Sequence, residues 1–300
     1  MTDPRPLGTA RRVAGPGGLP AVELSLPNGA RAVVCLHGAH VVSYVPEAGA
    51  EELLYLSPRS EFRRGIAIRG GVPVIFPQFA GLGPLPKHGF ARTLEWELAD
   101  SWSHAPGESA GARLTLRDTP DTRGVWPHAF ALHYEVRLTQ SALQLALLLE
   151  NVGDGPLRFT GALHSYLRVA DVRQAVVEGL EGVRYIDKTA GRTTVVDEER
   201  AVAFDGEVDR IYLDAPSALR VVDSAAAGRT TVRVESAGFP DVVVWNPGPE
   251  KAAALADLGA DEYTKMLCVE AALVGKPREL SPGESWNGSQ TIMRGDAGVR

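Results

Sequence analysis

Apolar and polar residues alternate with a period of two along most of the 300-residue chain. The segments 21–26 (AVELSL), 93–98 (TLEWEL), 112–117 (ARLTLR), 130–138 (FALHYEVRL), 230–235 (TTVRVE) and 241–245 (DVVVW) place apolar side chains on one face and polar ones on the other. Half-buried strands of this kind belong to antiparallel sheets. The stretch 143–149 (LQLALLL) is more continuously apolar and reads as a central strand. Turn signals at Pro27-Asn28-Gly29, Asp154-Gly155-Pro156 and Asp205-Gly206 fall at hairpin-like intervals. Only 247–259 reads as helical: a proline and a glutamate open a short alanine-rich run that Gly259 closes. One short helix makes no βαβ unit, and no repeat or heptad divides the chain. The expectation is an all-β fold of roughly eighteen strands, a large antiparallel β-sandwich with few short helices. A single domain is expected over 21–294, preceded by a loose arm at 1–20 and followed by a tail at 295–300.

Composition supports turns and narrows the partners. The 32 glycines and 21 prolines exceed ordinary usage while aliphatic residues stay abundant, which suits a turn-rich globular protein. A net charge of −6 without a broad basic face argues against nucleic acid or an anionic membrane as partner, and for a small molecule. Cys35 and Cys268 form no CxxC pair, so neither a disulfide framework nor a zinc ribbon is expected. No apolar run serves as a signal-peptide core or spans a membrane, and the expected setting is the cytoplasm, the expected state a monomer.

Three places carry candidate chemistry. From Phe62 to Leu94 the chain holds Arg63, Arg64, Arg69, Lys87 and Arg92 but no Asp or Glu, a local charge of +5 against −11 elsewhere. Its glycines and prolines fix the backbone, and arginine offers a planar fork of donors suited to a phosphate. A solvated basic turn is the plainer reading, but these cations bracket Phe76, Phe79 and Phe90 rather than a polar tract. His164 lies in GALHSYLRV, where alternation from Leu163 to Val169 suggests a strand; such a histidine is most often structural, yet its pKa suits a general acid. Glu270 is the lone carboxylate in the apolar run MLCVEAALV and must be desolvated or partnered there. His37 and His40 are assigned to structure, since their odd spacing on a strand faces them apart. Trp96, Trp126 and Trp245 suit sugar stacking, although burial is the commoner fate of tryptophan.

The ordered segments RGGVPVIFPQF (69–79), LPKHGFARTLEWEL (85–98), ALHSYLRVADV (162–172), EVDRIY (207–212), VVVWNPGPEKAAALADLGADEY (242–263) and MLCVEAA (266–272) resemble hexose-6-phosphate mutarotases, also called glucose-6-phosphate 1-epimerases, of the aldose 1-epimerase superfamily. The resemblance runs from about Ala21 to Met293. It implies a galactose-mutarotase type β-sandwich and an isomerase that interconverts α and β anomers of an aldose 6-phosphate without metal or cofactor. It also implies Glu270 as catalytic base, His164 as catalytic acid, His88 and Asp209 as sugar contacts, and Arg69 with Arg92 as the phosphate pair. Gln78 and the Ala80-Gly81 insertion depart from the family pattern and bear on loop shape. Two alternatives remain at this stage: an epimerase of free hexoses, and a non-catalytic carbohydrate-binding protein on the same scaffold.

Overall fold

In a computed structural model, which describes residues 8–295 apart from 105–108, 192 and 227–229, the alternating segments become 21 strands and two α-helices. Three antiparallel sheets result. Thr9–Ala14, Pro20–Ser25, Arg31–Cys35 and His40–Val45 form the first, in chain order. The second runs Thr193–Val196, Arg184–Asp187, Val208–Tyr212, Asp241–Asn246, Met266–Leu280, Leu157–Leu163 and Val74–Ile75, with Tyr166–Arg168 also paired to Met266–Leu280. The third runs Ala201–Val202, Ala175–Glu178, Ala218–Asp223, Thr230–Ala237, Ser285–Gly295, Ala142–Asn151, Phe130–Thr139, Ser109–Arg117 and Glu97–His104.

The second and third sheets share one core, as the period-two pattern requires. Leu143, Leu145, Leu147 and Leu149 of the third join Leu163, Val242, Val244, Leu267 and Val269 of the second in one buried cluster. The opposite face of the second sheet buries a separate cluster that includes Ile75, Phe79, Tyr166, Val243, Trp245 and Cys268. Asp241–Asn246 is therefore buried along its whole length rather than alternating. Ala142–Asn151 lies inside its sheet as expected, but Gln144, Ala146 and Leu148 are exposed because that face meets solvent.

Several expectations need correction. The segment 93–98 is not all strand: Ala91–Thr93 is a 3₁₀ turn, held by Trp96 Nε1 donating to the Ala91 carbonyl, and the ladder starts at Glu97. The expected helix spans Gly248–Ala254 and gives way to turns before Gly259. A second helix, Pro120–Val125, went unread because it has no apolar stripe; a Thr119–Thr122 capping box and a proline at its start set it. Thr9–Ala14 pairs with Pro20–Ser25, so the chain is tied down from Thr9 rather than free to residue 20. The rest of the expected arm at 1–7, and the expected tail at 296–300, lie outside the described residues. Both cysteines are free and buried. Among the described residues no helix is long and apolar enough to cross a membrane.

Candidate active site

Strand parity gathers the candidate chemistry on the outward face of the second sheet. In its ladders Asp209 pairs with Trp245, Trp245 with Cys268, and Val243 with Glu270, which puts Asp209, Trp245, Cys268 and Glu270 on one face. Leu163 belongs to the inter-sheet core and Tyr166 to the outer cluster. Regular pairing lapses at His164 and Ser165, so the sequence-expected strand is divided into Leu157–Leu163 and Tyr166–Arg168, and there the His164 N–H donates to the Pro73 carbonyl while the Ser165 carbonyl accepts from the Val269 N–H. Alternation survives the break. Ser165 donates inward to Gln290 of the third sheet, while His164 faces Glu270 with Nε2 3.3 Å from Oε1.

The proline-rich loop supplies the other wall. Gln78 bonds the Ala80 and Leu85 carbonyls and the Leu85 N–H, folding 78–85 into a closed turn, so this departure from the family pattern shapes the loop. His88 sits at φ +72 and Gly89 at φ +67, where a side chain on residue 89 would collide with the Phe76 carbonyl. That path brings the His88 ring to 5.6 Å from His164, with its Nδ1 accepting from the Ala80 N–H. His37 and His40 serve structure: their Nε2–H groups donate to the carbonyls of Ile66 and Gly70, and so anchor the backbone on which Arg69 stands.

Arg69 is already engaged. Its Nε and Nη2 reach both oxygens of Asp257 at 3.1 Å, and Nη1 donates to the Tyr166 hydroxyl at 3.0 Å. The Tyr166 ring in turn stacks on His164 at 4.7 Å and 7°. Arg92 donates Nη2 to the Lys87 carbonyl and keeps a buried Nε without a partner. Lys188 grips Asp209 through both oxygens, at 2.8 and 2.6 Å. Of the three tryptophans, Trp245 lies on this face, 6.0 Å from His164, whereas Trp96 and Trp126 are buried in the inter-sheet core.

Burial and crowded cations govern ionisation. Desolvation, aided by the charges of Arg92, Lys87, Lys188 and Arg69, pushes the His88 pKa down to about 2. Burial, then His88, Arg69 and Arg92, holds His164 well below the ordinary imidazole range. Burial and the nearby Asp209 carboxylate hold Glu270 well above the ordinary carboxylate range. Lys87 is lowered by burial first and by Lys188, Lys251, Arg69 and Arg92 after it.

These shifts predict acid sensitivity. His40, lowered to about 3 by burial, joins His88 and His164 as imidazoles neutral when folded and protonated below about 6.5 when unfolded. The unfolded chain then binds more protons, so stability falls as pH drops below 6.5. Glu270 acts in the opposite sense above 4.5, where the folded chain holds a proton that the unfolded chain releases. Three sites against one leave a net slope of about 2–3 kcal/mol per pH unit between pH 6 and 5. Urea denaturation at those two pH values should show it, and equal midpoints would refute it.

All six residues expected from the sequence thus lie on this face or on the loop beside it. Lys188, Tyr166 and Asp257 carry no such signal in the sequence, since an isolated residue of each type says nothing until the fold shows what it meets. Lys87 stood in the acid-free window but was not singled out.

Comparisons with known proteins show the family to which the chain belongs. The profile of the family described as aldose 1-epimerase matches residues 20–293. A protein of Cenchrus ciliaris provisionally named glucose-6-phosphate 1-epimerase is 39% identical over 285 residues, covering 93% of this chain and 86% of its own. An Escherichia coli K12 protein of the same provisional name is 35% identical over 264 residues, covering 87% and 86%. The crystal structure of a provisionally named mutarotase from Salmonella typhimurium superimposes with a TM-score of 0.83 at 30% identity, covering 98% of this chain and 95% of its own.

Proposed function

The chain belongs to the aldose 1-epimerase family, and on that premise we propose that it interconverts the α and β anomers of an aldohexose 6-phosphate, with D-glucose 6-phosphate as the reference substrate. The observation that carries the phosphate reading is the cation cluster beside the histidines. Lys87, Arg92, Arg69, Lys188 and Lys251 lie close enough for the other four to depress the Lys87 ammonium. Among the described residues Lys87 has no acidic partner, and Arg92 holds an unused donor. Two free cationic groups beside a buried acid–base pair suit one dianionic group on a small substrate.

Mutarotation opens the hemiacetal: a base removes the proton of the anomeric hydroxyl while an acid protonates the ring oxygen, and C1–C2 rotation in the aldehyde precedes closure. Unassisted, either proton transfer would leave charge on a weakly acidic or weakly basic oxygen. In our reading Glu270 is the base and His164 the acid. The opposed shifts of the two groups favour a protonated carboxyl facing a neutral imidazole before the sugar enters. Their 3.3 Å separation lets that one proton pass to His164, giving carboxylate and imidazolium without adding net charge to a buried site. The phosphate assists, because its charge offsets Arg69 and Arg92, which disfavour the imidazolium. Asp209, fixed by Lys188, and His88 would hold sugar hydroxyls. The phosphate itself never reacts; it spends binding energy to fix the ring between the pair.

Initial rates of anomer equilibration with glucose 6-phosphate, glucose and galactose test this directly. The phosphorylated sugar should equilibrate fastest by roughly 10-fold or more, the worth of one charge-assisted contact. Equal rates would mark an epimerase of free hexoses, and rates equal to buffer alone a binding protein.

A further inference from the structure

We propose that the acid–base pair, together with Cys268, is an inhibitory site for a thiophilic divalent cation, Zn²⁺ fitting it best. Among the described residues His164, Cys268 and Glu270 form the one trio whose donor atoms, a ring nitrogen, Sγ and a carboxylate oxygen, all lie within 4.8 Å of one another. Cys268 and Glu270 are two apart on Met266–Leu280 and so share its outward face, while His164 comes from the adjoining run. Ring opening makes no use of Cys268, and a thiol on this face is otherwise a small buried apolar group.

Thiolate, imidazole and carboxylate from three side chains, with a fourth position left open, is a zinc donor set. In tetrahedral zinc the ligand atoms stand about 3.3–3.7 Å apart, so the trio closes onto the ion by side-chain shifts of about 1 Å. A second observation points the same way: Glu270 Oε2 is buried without any hydrogen-bond partner. Buried polar atoms of that kind are stabilised by a ligand that satisfies them. Charge also balances. Zn²⁺ enters, the thiol proton and the carboxyl proton leave to solvent, and thiolate plus carboxylate neutralise the ion. Mg²⁺ is disfavoured, because it demands six oxygen ligands at near-octahedral angles. With the metal in place the imidazole lone pair and the carboxylate are both occupied, and no proton can move between them and the sugar.

Inhibition rests on the function proposed above; occupancy of the site does not. EDTA-treated, desalted protein is titrated with CoCl₂ and read by visible absorption, then with ZnCl₂ while glucose 6-phosphate anomer exchange is followed. We expect one cobalt per chain with the intense charge-transfer absorption of a cobalt–thiolate bond. Zinc should lower exchange roughly 10-fold or more, with EDTA restoring it. Cys268→Ser should lose the cobalt–thiolate absorption and need roughly 10-fold more zinc for the same fractional inhibition of its own rate, the least that loss of a direct ligand should cost. Cys268→Ala is the second variant, and circular dichroism checks that each is folded. Absent cobalt–thiolate absorption in the wild type, or serine and alanine variants as zinc-sensitive as the wild type, overturns the proposal. A normal cobalt spectrum without anomer exchange upholds the metal site and overturns the catalytic reading instead.

Discussion

Replacing Glu270 by Gln, or His164 by Ala, is expected to lower kcat for glucose 6-phosphate exchange by roughly 10²–10⁴-fold, with a far smaller change in KM. Glutamine keeps the shape of the buried side chain but cannot take a proton, and alanine removes the ring that faces it at 3.3 Å. In the proposed mechanism both groups act on oxygens whose charge develops only as the ring opens, so their loss should fall on the transition state rather than on binding. In the proposed mechanism the pair shares one proton and acts as a unit. The double variant should therefore be no slower than the slower single variant, as far as the background rate permits detection. Multiplicative losses would mean that the two groups work independently.

The second large effect concerns the phosphate. Arg92→Ala and Lys87→Ala should each reduce kcat/KM for glucose 6-phosphate by roughly 10–100-fold, the worth of a hydrogen bond to a charged group, while leaving free glucose nearly unchanged. Arg69→Ala should differ from both. Its guanidinium binds Asp257 on one side and the Tyr166 hydroxyl on the other, and Tyr166 stacks on His164. Loss of Arg69 should lower kcat for phosphorylated and free sugar alike, in addition to weakening phosphate preference. Rates with glucose 6-phosphate and glucose for the three variants separate these roles. A Arg92→Ala enzyme that keeps the wild-type ratio of the two would remove that residue from the phosphate site.

The residues that carry the proposal were legible in the sequence for a physical reason. Glu270 stood out because a carboxylate in an apolar strand must be paid for by function or pairing, and the structure buries it completely beside His164. Alternation sets His164 on the same face as Tyr166 even though regular pairing lapses there, since side-chain parity outlasts the ladder. The acid-free window foretold a cationic wall. What stayed hidden was pairing across the fold: Asp257 with Arg69 at a separation of 188 residues, and Lys188 with Asp209 on a neighbouring strand. A sequence without its strand register cannot show which acid meets which base. Fold class was readable from period two, whereas Pro120–Val125 was missed because a capped single turn and a half has no stripe to betray it.

The most direct test of the account is saturation transfer in an equilibrium solution of glucose 6-phosphate. The α-anomer H1 is irradiated and the β-anomer H1 is observed, with wild-type protein, with Glu270→Gln, and with neither. The account predicts strong transfer with the wild type and transfer at the buffer level with the variant. Transfer at the buffer level with both, or equally strong transfer with both, would contradict it.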